Sequence, residues 1–158
     1  MNEPVLARIC QMLANAGIQF NQIKHAPTYT SAASAAARGE SLGIGAKALL
    51  LCTDDVFRLF VLPADHKLDS AAVRRHLGLK RLRFATTEEL STLTGLVPGA
   101  VPPFGEPILP FELFADTSIG TLHDKVAFNA GALTESIVMF ASDWEAVAQP
   151  RRFRFAKQ

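Results

Sequence analysis

The sequence predicts an α/β fold of the α+β type, a mixed and mostly antiparallel β-sheet or barrel flanked by helices. Two apolar, partly β-branched segments, Ala46–Cys52 and Val56–Leu62, predict adjacent strands, and segments of helical spacing alternate with strand patterns along the chain. Several links between strands are shorter than the dozen residues that a parallel crossover needs. A doubly wound parallel sheet is therefore disfavoured.

In the first half of the chain, glycines mark the ends of the predicted helices. Gly17, Gly39 and Gly78 each follow a segment of helical spacing, as C-terminal glycines do. The turn Thr53-Asp54-Asp55 separates the two long strands as a hairpin. The predicted elements are a helix from Pro4 to Gly17, a strand over Ile18, Phe20 and Ile23, a helix over Ser31–Arg38, the two long strands, a helix over Ser70–Leu77 and a strand over Leu82–Ala85.

In the second half, Thr86 and Glu89 form a capping box that begins a helix running to Thr94. Proline and glycine dominate the segment Leu96–Pro110, which predicts a stiff loop. The remaining predicted elements are strands near Phe111–Ala115, Lys125–Asn129 and Ser136–Phe140, a helix from Ser142 with Glu145 at its third position as a second capping box, and a basic tail, Pro150–Arg154, that frays.

Length and composition indicate one domain over residues 1–158. Of these residues 49% are hydrophobic and 20% charged, and a chain of this size buries a core without disulfides or metals. The net charge of +1 means that any site for a polyanion is a local patch. Two cysteines fit a reducing compartment. Without a secretory signal or a membrane-spanning apolar run, we expect a cytoplasmic protein with no membrane contact.

Lys47 is the first candidate for chemistry, since it interrupts an apolar strand. One interpretation is a strand lysine that points to solvent and covers apolar surface with its stem. The other is a cation aimed into a cleft, where an anionic or ester-bearing ligand pairs with it. A phosphate-binding P-loop is excluded, because Ala46 and Ala48 flank the lysine where that motif needs glycine and a hydroxyl residue.

The loop Gly95–Gly105 and the residues after it supply two more candidates. Gly99 allows close backbone approach to a ligand, whose carbonyl or oxyanion could bind exposed N–H groups, although such a loop is also an ordinary rigid connection. Asn129 could donate to a substrate carbonyl or could form an Asx turn before Gly131. Both interpretations stay open at each position.

Several familiar sites are excluded. There is no G-x-S-x-G nucleophile elbow, and the four histidines lack metal-ligand spacing, so we expect neither a metal nor a cofactor. Basic residues cluster locally, and two such clusters beside one cleft would bind phosphates, whereas an isolated cluster is a solvated face. The clusters are Arg74-Arg75-His76, Lys80-Arg81-x-Arg83 and Arg151-Arg152-x-Arg154.

Motifs in order along nearly the whole chain resemble the YbaK/proline-tRNA-synthetase-associated domain family of aminoacyl-tRNA deacylases and, within it, the YeaK-like branch. No single motif is sufficient, but their joint order is specific. The motifs are His25-Ala26-Pro27, Gly45-Ala46-Lys47-Ala48-Leu49-Leu50, Leu62-Pro63-Ala64-Asp65-His66-Lys67-Leu68-Asp69, Pro98-Gly99-Ala100-Val101-Pro102-Pro103-Phe104-Gly105 and Ala127-Phe128-Asn129-Ala130-Gly131.

The resemblance implies hydrolysis of the ester that joins a small amino acid (alanine, serine, threonine or cysteine) to the terminal ribose of mischarged tRNA. It implies that aminoacyl-tRNA is the partner, an aminoacyl-tRNA synthetase a further candidate partner, and DNA none. Lys47 and Gly99 take the catalytic positions. The substrate-binding candidates are Ala48, Pro98, Ala100, Phe104, Asn129 and Gly131, and the tRNA-binding candidates are Arg74, Arg75 and Arg81.

Two departures from other branches leave the amino acid open. Some branches place asparagine or threonine where this chain has Ala48, and the alanine-clearing branch places histidine where it has Asn129. Two other functions also remain open. One is a non-catalytic module that binds a tRNA end or a synthetase, and the other is a hydrolase for another small activated acyl compound.

Overall fold

The computed structural model describes residues 4–157, so residues 1–3 and 158 of the predicted domain lie outside it. Within the described part of the chain, no helix is both long and apolar enough to cross a membrane. The helices are α1 (Val5–Asn15), α2 (Ser31–Arg38), α3 (Ser70–Leu77), α4 (Thr87–Thr94) and α5 (Ala141–Ala148). The strands are β1 (Phe20–Lys24), β2 (Ala46–Thr53), β3 (Val56–Pro63), β4 (Leu82–Phe84), β5 (Leu113–Asp116), β6 (Lys125–Asn129), β7 (Glu135–Phe140) and β8 (Arg151–Phe153).

The strands form two sheets, which confirms the mixed and mostly antiparallel architecture. A three-stranded sheet has the order β1-β7-β6, and a five-stranded sheet has the order β4-β2-β3-β5-β8. Only the pairs β3–β5 and β5–β8 are parallel. Across residues 4–157 the sheets do not close into a barrel, and a single bridge between Gly45 and Ala127 joins them.

The hairpin β2–β3 is the longest strand pair, and its register runs from Ala46 opposite Pro63 to Thr53 opposite Val56. Asp54 and Asp55 form its two-residue turn with φ of 46° and 68°. Positive φ at both turn residues matches the right-handed twist of the strands. The hairpin therefore places the start of β2 next to the Gly45 bridge, at the seam between the sheets.

The Pro/Gly loop between α4 and β5 is held by the core instead of lying free on the surface. The Trp144 indole is fully buried, and its Nε1 donates to the Pro103 carbonyl over 2.9 Å. The Phe104 ring meets Phe128 edge to face, with 5.4 Å between centroids. These contacts give the loop one position relative to β6.

The first predicted capping box is confirmed and the second is wrong. Thr86 Oγ1 accepts from the Glu89 amide over 3.0 Å, and the Glu89 carboxylate accepts from the Thr86 amide over 2.8 Å. By contrast, β7 runs directly into α5, and the Ala141 amide is bound by the Asp124 carbonyl over 2.8 Å. Ser142 therefore lies inside the helix and caps nothing.

The basic tail does not fray, contrary to the sequence prediction. Arg151–Phe153 is strand β8, and Phe155 beyond it is fully buried. The Asp116 carboxylate accepts from the Phe155 and Ala156 amides over 2.7 and 2.8 Å. Such contacts between distant segments cannot be inferred from the composition of the tail.

The environment of Asp116 predicts that the stability of the fold depends on pH. Its burial would raise the pKa of the carboxyl, but hydrogen bonds from Ser118, Phe155 and Ala156 lower that pKa overall. A lowered folded-state pKa stabilises the fold above the unfolded value of about 3.9, and this stability is lost as pH falls through the folded value. We expect Asp116→Asn to reduce the free energy of unfolding by about 2 kcal/mol at pH 7, measured by urea denaturation.

The matched control is Asp55→Asn, because the Asp55 side chain is 82% exposed. We expect it to change the free energy of unfolding by less than about 0.5 kcal/mol. The difference between the wild type and Asp116→Asn narrows below about pH 4. A difference that is the same at pH 7 and pH 3 contradicts the assignment.

Candidate functional site

A cavity of about 270 Å³ lies where the start of β2 meets α2, the Pro/Gly loop and the end of β6. The four segments come from distant parts of the chain. Five residues singled out from the sequence line this cavity, and they are Lys47, Ala48, Pro98, Gly99 and Asn129. Arg38 and Tyr29 are among the lining residues that were not singled out.

Lys47 lies in the cavity wall with its amine held in place, not extended into solvent. The side chain is half-buried, and its Nζ donates to the His66 carbonyl. Burial lowers the pKa of Lys47, Asp65 acts to raise it and Lys67 to lower it. Among residues 4–157 only that carbonyl accepts from the ammonium, which leaves two of its three N–H bonds for a ligand.

Gly99 presents backbone to the cavity in a conformation that favours glycine. Its φ is +86°, and a Cβ there would lie 3.4 Å from Leu133 Cδ2. No described residue accepts a hydrogen bond from the Gly99 amide, and Pro98 before it has no N–H. The Gly99 amide is therefore a free donor beside the cavity.

The Asn129 side chain connects the loop to the wall of the cavity. Its Nδ2 donates to the Gly99 carbonyl over 2.8 Å. Its Oδ1 accepts from Arg38 Nη2 and from Ser136 Oγ, both over 3.1 Å. An Asx turn would use Oδ1 for its own backbone, so that interpretation of Asn129 is wrong.

Arg38 is the site residue that the sequence analysis missed. It ends α2, where it is the one charged residue in a helix of serine and alanine. That isolated charge was the available signal. Burial lowers the pKa of Arg38 to about 10, so the guanidinium keeps its charge at neutral pH.

Tyr29 is a second missed residue. It lies beside the cavity with 80% of its surface exposed. An exposed aromatic ring at the mouth of a cavity is a surface on which a nucleobase can stack. Nothing in the short segment before α2 marked it, because an exposed tyrosine is common in loops.

Three predicted substrate-binding residues lie behind the cavity wall and do not line it. Ala100 and Phe104 are each 1% exposed, and Phe104 packs on Phe128. The Gly131 amide donates to the Ala100 carbonyl over 2.9 Å, and a Cβ on Gly131 would meet Val5 at 3.0 Å. These residues fix the distance between the loop and β6.

The tRNA-binding candidates lie at the other end of the hairpin. Arg74 and Arg81 line a second, open concavity with Lys80 and Arg83, so two of the basic clusters do share one cleft. Strand β2, which is about 20 Å long at the usual rise of a strand, separates this concavity from Lys47. Arg81 pairs with Asp55 over 3.2 Å.

Arg74 and Arg75 of this group are exposed on α3. No carboxylate of the described chain forms an ion pair with either guanidinium. They therefore have charge available for a ligand, whereas the charge of Arg81 is partly neutralised.

The electrostatics of the cavity suit an electron-rich ligand. Arg38 and Lys47 bring two positive charges, and within the described chain no aspartate or glutamate lines the cavity. A carbonyl that meets the Lys47 ammonium and the Gly99 amide would be polarised from both. The arrangement can stabilise an oxyanion without a protein nucleophile.

Comparison with known proteins identifies relatives of this chain. The family model of the aminoacyl-tRNA editing domain matches residues 25–147. The multifunctional Ser/Thr-tRNA deacylase ProXp-y of Escherichia coli K12 is 34% identical over 155 residues, which cover 95% of this chain and 92% of the relative. A proline–tRNA ligase of Shouchella clausii is 35% identical over 95 residues, 58% of this chain and 16% of the ligase.

A solved structure has the same fold over its full length. It is the crystal structure of a protein proposed to be a trans-editing enzyme for prolyl tRNA synthetase. The two folds match with a TM-score of 0.84 at 23% identity over 100% of both chains. Together, the match of the family model over residues 25–147 and the identity to a deacylase over almost the whole chain place this protein in the aminoacyl-tRNA editing domain family.

Proposed function

We propose that this protein is a trans-acting aminoacyl-tRNA deacylase that hydrolyses the ester of mischarged tRNA carrying a small amino acid of the alanine, serine, threonine or cysteine class. The observation that carries the proposal is the cavity that Lys47 and Gly99 both line, Lys47 with an ammonium that has N–H bonds to spare and Gly99 with a free backbone amide. Residues 1–158 act as one domain in the cytoplasm, and a synthetase is a candidate partner. The E. coli relative, named as a Ser/Thr-tRNA deacylase, supports the substrate class.

The mechanism needs no catalytic triad, because an aminoacyl ester is already activated. Lys47 and the Gly99 amide bind the ester carbonyl and stabilise the oxyanion that forms on it. A water, or a nucleophilic group of the substrate itself, attacks the carbonyl carbon. When water attacks, the carbonyl carbon–ribose oxygen bond breaks, the amino acid leaves with a carboxyl group and the ribose oxygen takes a proton. Holding the reactants in place supplies much of the acceleration.

The walls of the cavity select the amino acid by size. Ala48 and Pro98 line it with short side chains, and Asn129 holds the Gly99 carbonyl. One methylene changes discrimination by only about 1–3 kcal/mol in an apolar pocket. We therefore expect activity on several small amino acids.

The arginines at the far end of the hairpin bind the tRNA backbone in this proposal. Arg74 and Arg75 offer unneutralised charge, whereas Arg81 already pairs with Asp55. Contacts with phosphates are independent of sequence and weaken with salt. This surface would hold the body of the tRNA while its 3′ end enters the cavity.

Lys47→Ala tests the role of the ammonium. We expect kcat/KM for deacylation of seryl-tRNA to fall about 10²–10³-fold, because a donor to the oxyanion is lost. The measurement is single-turnover deacylation over a panel of alanyl-, seryl-, threonyl- and cysteinyl-tRNAs. The control is Lys24→Ala, a lysine that is also on a strand but is exposed and outside the cavity.

Equal rates for wild type and Lys47→Ala refute the role of Lys47. Tight, salt-sensitive tRNA binding by a wild type that turns over none of the four esters identifies a non-catalytic binding module instead.

Gly99→Ala tests the backbone of the loop. Gly99 has a φ of +86°, so alanine there costs about 1–2 kcal/mol of stability and relieves this strain by shifting the backbone of the loop, whereas its Cβ makes only an ordinary contact with Leu133. We expect kcat/KM to fall about tenfold to a hundredfold, because small misplacements are costly at a reacting centre. Unfolding and deacylation are measured on the same samples.

Gly17→Ala is the matched control, because Gly17 has a φ of +72°, open space around it and no place in the cavity. We expect Gly17→Ala to lose a similar amount of stability and to keep the wild-type rate of deacylation. If both variants lose activity in proportion to stability, Gly99 has no role beyond the fold.

Charge reversal tests the arginine surface, which consists of Arg74, Arg75 and Arg81. We expect the Arg74→Glu, Arg75→Glu double variant to weaken tRNA binding and to reduce the slope of log K against log salt by about one per arginine. Arg81→Glu has a smaller effect because Asp55 already offsets its charge. Arg154→Glu, an exposed arginine in the tail, is the control.

The same variants decide between tRNA and other acyl esters as substrates. The loss of activity is larger for aminoacyl-tRNA than for a short aminoacyl ester if the surface binds tRNA. Turnover of short esters with no dependence of tRNA deacylation on Arg74 or Arg75 indicates a hydrolase for another small acyl compound.

A further inference from the structure

The environment of Arg38 is unusual among the arginines of this chain. Nε donates to Ser136 Oγ over 2.9 Å, and Nη2 donates to Asn129 Oδ1 over 3.1 Å. Ser136 is fully buried and Asn129 is 8% exposed. The guanidinium is thus fixed in place by two neutral side chains, Asn129 in the cavity wall and Ser136 on β7.

No carboxylate of residues 4–157 pairs with Arg38. Other arginines do pair with carboxylates, since Arg83 pairs with Glu89 over 2.7 Å and Arg152 with Glu145 over 3.0 Å. A charge that loses water without gaining a counter-charge is costly to the fold. Such a cost is retained where a ligand brings the opposite charge.

One nitrogen of Arg38 is free for that ligand. Nη1 donates to no acceptor within the described residues, and it lies 3.9 Å from where a Cβ on Gly45 would be. Gly45 and Arg38 both line the cavity. A Cβ at Gly45 would also lie 2.7 Å from the Ala64 Cβ, so no side chain fits at this position and Gly45 leaves Nη1 uncovered on that side.

The chemistry of an aminoacyl-tRNA end identifies the anion. The ester itself is neutral in the ground state, and the nearest formal negative charge is the phosphodiester on the 5′ oxygen of the same terminal nucleoside. One ribose separates the two groups. The planar donors of arginine suit phosphate oxygens, whereas Lys47 and the Gly99 amide are the donors available to the ester.

We infer that Arg38 is a binding residue for the phosphodiester of the terminal nucleotide, so that the cavity reads a nucleotide and not only an acyl ester. This inference rests on the proposed deacylase function. Two points hold the tRNA end, with Arg38 on the phosphate and Lys47 on the ester. The Asn129 side chain accepts from Arg38 and donates to the Gly99 carbonyl, so it keeps Arg38 at a constant distance from the loop that carries the Gly99 donor.

Two substrates that differ in this phosphate test the inference. They are 2′(3′)-O-seryladenosine, which lacks it, and the seryl ester of cytidylyl-(3′→5′)-adenosine, which has it. We expect wild type to prefer the dinucleotide ester in kcat/KM. Arg38→Met lowers that preference about tenfold, mainly through KM, because a charge-assisted hydrogen bond is lost. Arg38→Lys recovers part of it.

Arg154→Met, a substitution of an exposed arginine outside the cavity, is the control and keeps the wild-type preference. If Arg38→Met lowers kcat/KM for both esters by the same factor, Arg38 acts on the fold or on the ester and the inference is overturned. If Arg38→Met does not fold, Arg38→Gln removes the charge with donors retained and is judged by the same ratio.

A binding measurement separates this inference from the proposed function. By calorimetry, wild type binds adenosine 5′-monophosphate more tightly than adenosine, and Arg38→Gln removes the difference. Equal affinity of wild type for the two compounds overturns the inference even where seryl-tRNA is hydrolysed. Failure of wild type to hydrolyse any of the esters overturns the proposed function, and the binding difference still reports on Arg38.

Discussion

The Asn129 side chain is the junction on which the geometry of the cavity depends. It accepts from Arg38 on α2 and donates to the Gly99 carbonyl in the Pro/Gly loop. Arginine can only donate, so Oδ1 must face Arg38 and Nδ2 must face Gly99. The orientation of one amide thereby fixes the helix, the end of β6 and the loop relative to one another.

The junction anchors the loop at Gly99, in addition to the hydrogen bonds within the loop itself. The Gly99 carbonyl is bound by Asn129 while the Gly99 amide has no acceptor in the described chain. The Gly99 amide lies in the peptide unit that precedes this anchored carbonyl, and a free amide held in place in this way is a preorganised donor, which costs no rearrangement when charge develops on a ligand. Trp144 donates to the Pro103 carbonyl further along the same loop and holds that part of the loop against the core.

What could be predicted from the sequence was local. The hairpin turn at Asp54-Asp55 and the capping box at Thr86 depend on residues a few positions apart, and both occur as expected. The tail and Arg38 depend on segments far apart in the chain, Asp116 with Phe155 and Arg38 with Asn129. No periodicity encodes such pairs, so the tail was expected to fray and Arg38 was missed.

Strand β2 separates the cavity from the concavity that Arg74 and Arg81 line. Lys47 lies next to one end of β2 and Thr53 is the other end, and β2 is paired with β3 along its whole length. A paired strand does not stretch, so the distance between Lys47 and Thr53 is fixed at about 20 Å. In the proposed function this distance lets one extended, negatively charged substrate reach both the cavity and the arginines, because a tRNA is long enough to do so and a small acyl ester is not.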